Sequence, residues 1–138
     1  MTGIRTWGGL LVLGLILVAG LPYAKPKSEV KRIGMVIRIK PEKIADYKHL
    51  HADSNPGVRD LLRKANIRNF SIFLRQFDDG QYYLFAYYEY VGTDYENDMA
   101  KLAAEPRNKA WLSVTDAMQI PLKGERSWAR MEEVYHNQ

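Results

Sequence analysis

The amino-acid sequence predicts an α+β domain in which one antiparallel sheet carries helices on a single face, in the order β-α-β-β-α-β. Three observations lead there. Apolar residues alternate with period two over residues 33–39 and 67–74, and residues 81–90 form a long aromatic run, all three read as strands. Helical-period stripes fill the intervals between the first and second and after the third. Asp78-Asp79-Gly80 is a turn between two strand-like runs, which makes the second and third strands an antiparallel hairpin.

The first strand, 33–39, puts Met35, Ile37 and Ile39 on one face. Pro41 suits a first helical position, Glu42 suits the positive end of the helix, and Ile44, Tyr47 and His51 then recur at spacings of three and four on one side. Asn55-Pro56-Gly57 interrupts the helix, and Val58, Leu61, Leu62 and Ala65 form a second apolar stripe beyond the break. In the second strand Phe70, Ile72 and Leu74 alternate. The third, 81–90, is dominated by aromatic residues. Thr93 and Glu96 have the spacing of a capping box, opening a helix through Leu102. Pro106 opens another, with Ala110, Trp111, Val114, Ala117 and Met118 as its apolar stripe, ended by Pro121 and Gly124. Residues 128–135 form a last strand whose Arg130, Glu132 and Glu133 require water or a polar cavity on one side. This is the split order called ferredoxin-like. Its second sheet face is rich in Tyr and Phe, so the expected assembly is a homodimer packed sheet against sheet, the dimeric α+β barrel type.

The first 24 residues differ from the rest. Arg5 precedes an apolar run rich in Gly, Leu, Val and Ile, the pattern of a secretory signal peptide. The uncharged stretch 6–24 also approaches the ~20 residues that cross a hydrocarbon core, so an uncleaved N-terminal anchor is the alternative. Both place the domain outside the cytoplasm, periplasmic or secreted, and only the anchor implies a stable membrane contact. Residues 25–30, polar and Pro-containing, read as a linker, and 31–138 as the domain. With no cysteine, neither a disulfide framework nor a thiolate site is available. The formal net charge of +4 comes from interspersed acids and bases, without the basic stripe that a nucleic-acid partner requires.

His51 is the residue best suited to chemistry, since imidazole exchanges a proton near neutral pH and this one falls on the inward helix face. A hydrogen-bonded histidine at a helix end is the commoner outcome of such a spacing. Tyr47, one turn earlier, reaches toward the same ligand or is core with its hydroxyl at the rim. Trp111 is either a wall for a sugar ring or ordinary core. His49 projects from another side and His136 sits in the tail, so no metal site is expected. The Asn69-Phe70-Ser71 triplet lies within a strand and is discounted as a glycosylation acceptor, and no Gly-x-Ser-x-Gly elbow, phosphate loop or HExxH motif occurs.

Several segments in register carry the chain further: Asp46-Tyr47-Lys48-His49-Leu50-His51 with Pro56 after it, Asn69-Phe70-Ser71-Ile72-Phe73-Leu74, Leu84-Phe85-Ala86-Tyr87-Tyr88-Glu89, Trp111 before Thr115-Asp116-Ala117-Met118, and Glu132-Glu133-Val134-Tyr135. In order and spacing they resemble the L-rhamnose mutarotase family over 30–135. That resemblance implies a cofactor-free isomerase acting on a monosaccharide, L-rhamnose or a related deoxy-sugar, with His51 as proton donor and Tyr47 and Trp111 orienting the sugar. Phe70 stands where the family has a second sugar-binding tyrosine, so the hydroxyl contact is missing. Ala110 replaces one of a tryptophan pair, and Asn55 lies near a lost bulky aromatic. An export signal is unusual against the family's cytoplasmic sugar catabolism. Two other readings of the same pattern are a monooxygenase-like or haem-handling barrel and a non-catalytic sugar-binding module.

Overall fold

The computed structural model describes residues 29–137, so the signal or anchor expected at 1–24 lies outside the described residues. The chain runs β1 (Lys31–Ile39), a 3-10 turn at Pro41–Lys43, α1 (Ile44–Leu50), α2 (Arg59–Lys64), β2 (Ile67–Gln76), β3 (Tyr82–Tyr90), α3 (Tyr95–Ala104), α4 (Pro106–Asp116), β4 (Gln119–Ile120) and β5 (Ala129–Met131). The strands form one antiparallel sheet in the order β2-β3-β1-β4, with β5 also on β1, a ferredoxin-like α+β half-barrel.

Register explains the core. Ile33, Ile37 and Ile39 on β1 pair with Tyr88, Leu84 and Tyr82 on β3, and period two sends this set to the helix side. Ile37, Ile39 and Leu84 bury there with Tyr47 and Met118; Ile33, Ile67, Tyr88 and Tyr90 form a second cluster. Each such side chain contributes about 1.5–3 kcal/mol by leaving water, which is what holds these short helices onto the sheet.

Strand β2 contains an irregularity that simple alternation does not foresee. Ile67 faces the core, as do Ile72 and Leu74, and these parities conflict. One extra residue between Arg68 and Ser71 resolves it, with Asn69 in the left-handed region at φ 53° and its amide donating to Glu89 Oε2 at 2.8 Å. The bulge turns Phe70 toward Tyr88, whose ring it meets edge-on at 5.6 Å.

Three expectations need correction. Helix α3 is capped by Asp94, whose carboxylate accepts from the Asn97 amide at 3.2 Å, and not by Thr93. Helix α4 ends at Asp116 and is rotated from the expected stripe: Asn108 and Thr115 are buried while Ala110 and Val114 are exposed. The Thr115 hydroxyl donates to the Trp111 carbonyl at 3.2 Å, so a polar residue enters the interior without an unmet hydrogen bond. The last strand is two short pieces on β1 instead of one run over 128–135; Val134 and Tyr135 stay exposed. The sheet's opposite face leaves Phe73 63% and Phe77 47% exposed.

Candidate functional site

Between the concave face of the sheet and α1, α2 and α4 lies a cavity of about 640 Å³. Tyr47, His51, Phe70 and Trp111, the four residues singled out from the sequence, all line it. His51 closes α1. Its Nδ1 lies 2.8 Å from the Tyr47 carbonyl oxygen. A carbonyl only accepts, so Nδ1 carries the hydrogen and Nε2 is left to exchange protons. The imidazole stacks on the Tyr47 ring at 4.2 Å and meets the edge of Trp111 at 5.2 Å, so three rings fix its plane. Burial lowers the His51 pKa from the ordinary imidazole value; the Tyr47 carbonyl opposes this and the Arg59 charge adds to it.

Burial pushes the Tyr47 hydroxyl up to about 12, so it stays protonated at physiological pH. It accepts from Gln119 Nε2 at 3.5 Å, which leaves its own hydrogen for a ligand. Trp111 packs over Gly57 in the loop between α1 and α2: a Cβ there would sit 3.0 Å from Trp111 Cη2. Phe70 adds an apolar edge, 40% exposed, with no hydroxyl to offer. His49 is exposed and away from the cavity lining. Among the described residues no group of three His, Cys, Asp or Glu could hold a metal ion.

Two lining residues were missed from the sequence. The Arg59 guanidinium donates to the carbonyl oxygens of His51 at 3.0 Å, of Ala52 at 3.3 Å and of Asn55, and pairs with Asp53 at 3.5 Å. It thereby ties the His51 loop to α2. The available signal was a cation at the first position of a helix, where the macrodipole disfavours it. The other is Asp116, the last residue of α4, whose carboxyl pKa is raised by burial.

A family model described as L-rhamnose mutarotase matches residues 32–137. An L-rhamnose mutarotase of Mannheimia succiniciproducens is 33% identical over 87 residues, covering 63% of this chain and 79% of that one. The crystal structure of an L-rhamnose mutarotase from Formosa agariphila superposes with a TM-score of 0.57 at 21% identity, over 78% of this chain and 99% of that one, a likeness of fold. A putative antibiotic biosynthesis monooxygenase from Nitrosomonas europaea aligns at a TM-score of 0.49 and 14% identity, over 77% of this chain and 91% of that one. The sequence matches decide for an isomerase over the monooxygenase-like, haem-handling and non-catalytic readings.

They also correct the expectation of export. Rhamnose mutarotase homologues are cytoplasmic enzymes, so neither secretion nor an anchored domain outside the cytoplasm stands on the apolar run at 6–24. Apolar composition alone does not specify a signal. Among the described residues no helix is long and apolar enough to cross a membrane. With the family match spanning nearly all of the described residues, the chain belongs to the L-rhamnose mutarotase family, isomerases that interconvert the anomers of L-rhamnose.

Proposed function

We propose that the chain interconverts the α and β anomers of L-rhamnose, and of related deoxy-sugars of similar size, by cofactor-free general acid/base ring opening with His51 as the proton carrier. The observation behind this is the anchored imidazole: Nδ1 is committed to the Tyr47 carbonyl, and the ring lines a cavity large enough for a monosaccharide. In its protonated form His51 delivers a hydrogen from Nε2 to the ring oxygen as the bond to the anomeric carbon breaks and the anomeric hydroxyl gives its proton to a base. The aldehyde rotates about one bond and recloses on its other face, and the same nitrogen takes the hydrogen back. Tyr47, fixed as a donor by its high pKa, and Trp111 orient the sugar, while Phe70 gives it an apolar contact. A general acid of this kind supplies roughly 10²–10⁴-fold acceleration.

The working unit in this reading is a homodimer. Phe73, Phe77 and Phe85 cluster on the sheet face away from the cavity, with Met131 exposed beyond them, and a second copy packed sheet to sheet covers them. Exchange NMR of L-rhamnose tests the activity: the wild type shortens anomer exchange and His51→Ala returns it to the uncatalysed rate. Wild-type protein that leaves exchange at the spontaneous rate overturns the proposal.

A further inference from the structure

The reaction needs a group to take the proton of the anomeric hydroxyl while His51 protonates the ring oxygen. We infer that this group is the carboxylate of Asp116, acting as general base from the end of α4; the inference rests on the mutarotase reading of the same cavity and completes its pair of proton-transferring groups.

The cavity offers few groups able to take up a proton. Its ionisable lining consists of Tyr47 and Lys48 from α1, His51 at the end of that helix, Arg59 and Arg63 from α2, Arg68 from β2, and Asp116. Lysine and arginine are protonated at neutral pH and cannot accept, and Tyr47 with a pKa near 12 holds its hydrogen. Once His51 is committed as donor, Asp116 is the one acceptor of a full proton among the described residues that line the cavity. Asp116 lines the same cavity as His51 and Tyr47, one residue beyond the buried Thr115 and on the helix that carries Trp111.

Asp116 is exposed at the cavity's edge, and among the described residues no protein group holds its carboxylate. Asp116 is the C-terminal residue of an eleven-residue helix whose last turn holds no cation, the end where a negative charge is disfavoured. Among the described residues it makes no ion pair and accepts no hydrogen bond. By contrast, the carboxylates of Asp60, Asp98 and Glu133 are engaged by Arg107, by Asn66 and Tyr90, and by Arg32.

The step balances with two proton movements. Asp116 takes the hydrogen from the anomeric hydroxyl, the electron pair of that O–H bond becomes the second bond of the aldehyde, and the bond from the anomeric carbon to the ring oxygen breaks. Its electron pair stays on the ring oxygen, which takes the hydrogen from His51 Nε2. Reclosure reverses every transfer and restores both residues, so no co-reactant is consumed.

The pair has a pH signature. Asp116 must be ionised, so the rate rises as pH climbs through its pKa, which burial holds above the ordinary carboxylate value. His51 must be protonated, so the rate falls as pH climbs through its pKa, which burial and Arg59 hold below the ordinary imidazole value. A bell with its maximum on the acid side of neutrality follows.

The experiment measures anomer exchange of L-rhamnose by NMR against sugar concentration and pH for wild type, Asp116→Asn and Asp116→Glu, with thermal melting as the check on folding. Asp116→Asn is expected to melt like wild type, to lose roughly a hundredfold in kcat with KM changed less than about threefold, and to lose the acid limb of the profile. Asp116→Glu is expected to keep that limb and part of the rate. Active wild type with Asp116→Asn at the same kcat, or with its acid limb intact, overturns the assignment while leaving the mutarotase reading in place. Wild type at the spontaneous rate removes both.

Discussion

Gly57→Ala tests how closely the loop after His51 is fitted to the cavity wall. Gly57 sits at φ +50°, a region that costs an L-residue about 1–2 kcal/mol. Alanine recovers part of this by restricting the unfolded chain, about 0.4–1 kcal/mol. The net backbone cost is therefore about 1 kcal/mol, a fall of about 4–8 °C in Tm for a domain of this size. A second cost is particular to this site. The new methyl would lie 3.0 and 3.1 Å from two ring carbons of Trp111, so the indole must yield by a few tenths of an ångström, and the same indole is the edge-on neighbour of the His51 ring. Gly80→Ala is the matched control, with φ +76° and nothing within 4 Å of a built Cβ. Differential scanning calorimetry and sugar-exchange NMR on both variants separate the two costs. Both should melt lower than wild type, but only Gly57→Ala should also lose kcat. A Gly57→Ala protein as stable and as active as wild type would refute the fitted contact.

Two further outcomes follow from the same geometry. Phe70→Tyr puts a hydroxyl back on the cavity side of the β2 bulge; a hydrogen bond worth about 0.5–1.5 kcal/mol lowers KM for L-rhamnose roughly two- to tenfold with little change in kcat, read from exchange kinetics at several sugar concentrations. Phe73→Glu puts a charge in the middle of the exposed aromatic face, and analytical ultracentrifugation should show a dimer for wild type, as proposed, and a monomer for the variant, with melting of the monomer concentration-independent.

Much of this was legible because the signals were local. Period two exposed β1 and β2, aromatic content exposed β3, and the Asp-Asp-Gly turn exposed the β2–β3 hairpin. The four-residue spacing of Tyr47 and His51 put them on one helix face, and they indeed stack. The failures share a physical origin in polar groups whose partners are backbone atoms. An apolar-stripe reading of α4 chose Ala110 and Val114 over Asn108 and Thr115, because nothing in the sequence says that a threonine hydroxyl will be satisfied by the carbonyl one turn back. The bulge at Asn69 is equally silent, since a left-handed asparagine is unmarked until the strands on both sides are in register. The clamp by Arg59 is invisible for the same reason: its acceptors are carbonyls of the loop, which every sequence possesses.

That clamp links the architecture of the site to its proton chemistry. Helix α1 is only seven residues long and ends at His51, the proposed proton carrier, so its terminal carbonyls need donors. The Tyr47 carbonyl receives both the His51 amide, at 3.2 Å, and the His51 ring nitrogen, at 2.8 Å, while Arg59 takes the carbonyls of His51, Ala52 and Asn55. One cation thus terminates the helix, favours its negative end and ties the loop to α2. The same charge disfavours the protonated imidazole beside it. Holding the loop that carries the ring and easing the ring's release of a hydrogen therefore fall to the same cation. A neutral clamp would hold the loop but leave His51 more basic, and so a weaker acid in the proposed ring opening, whereas a guanidinium, with several donors and a permanent charge, suits both tasks.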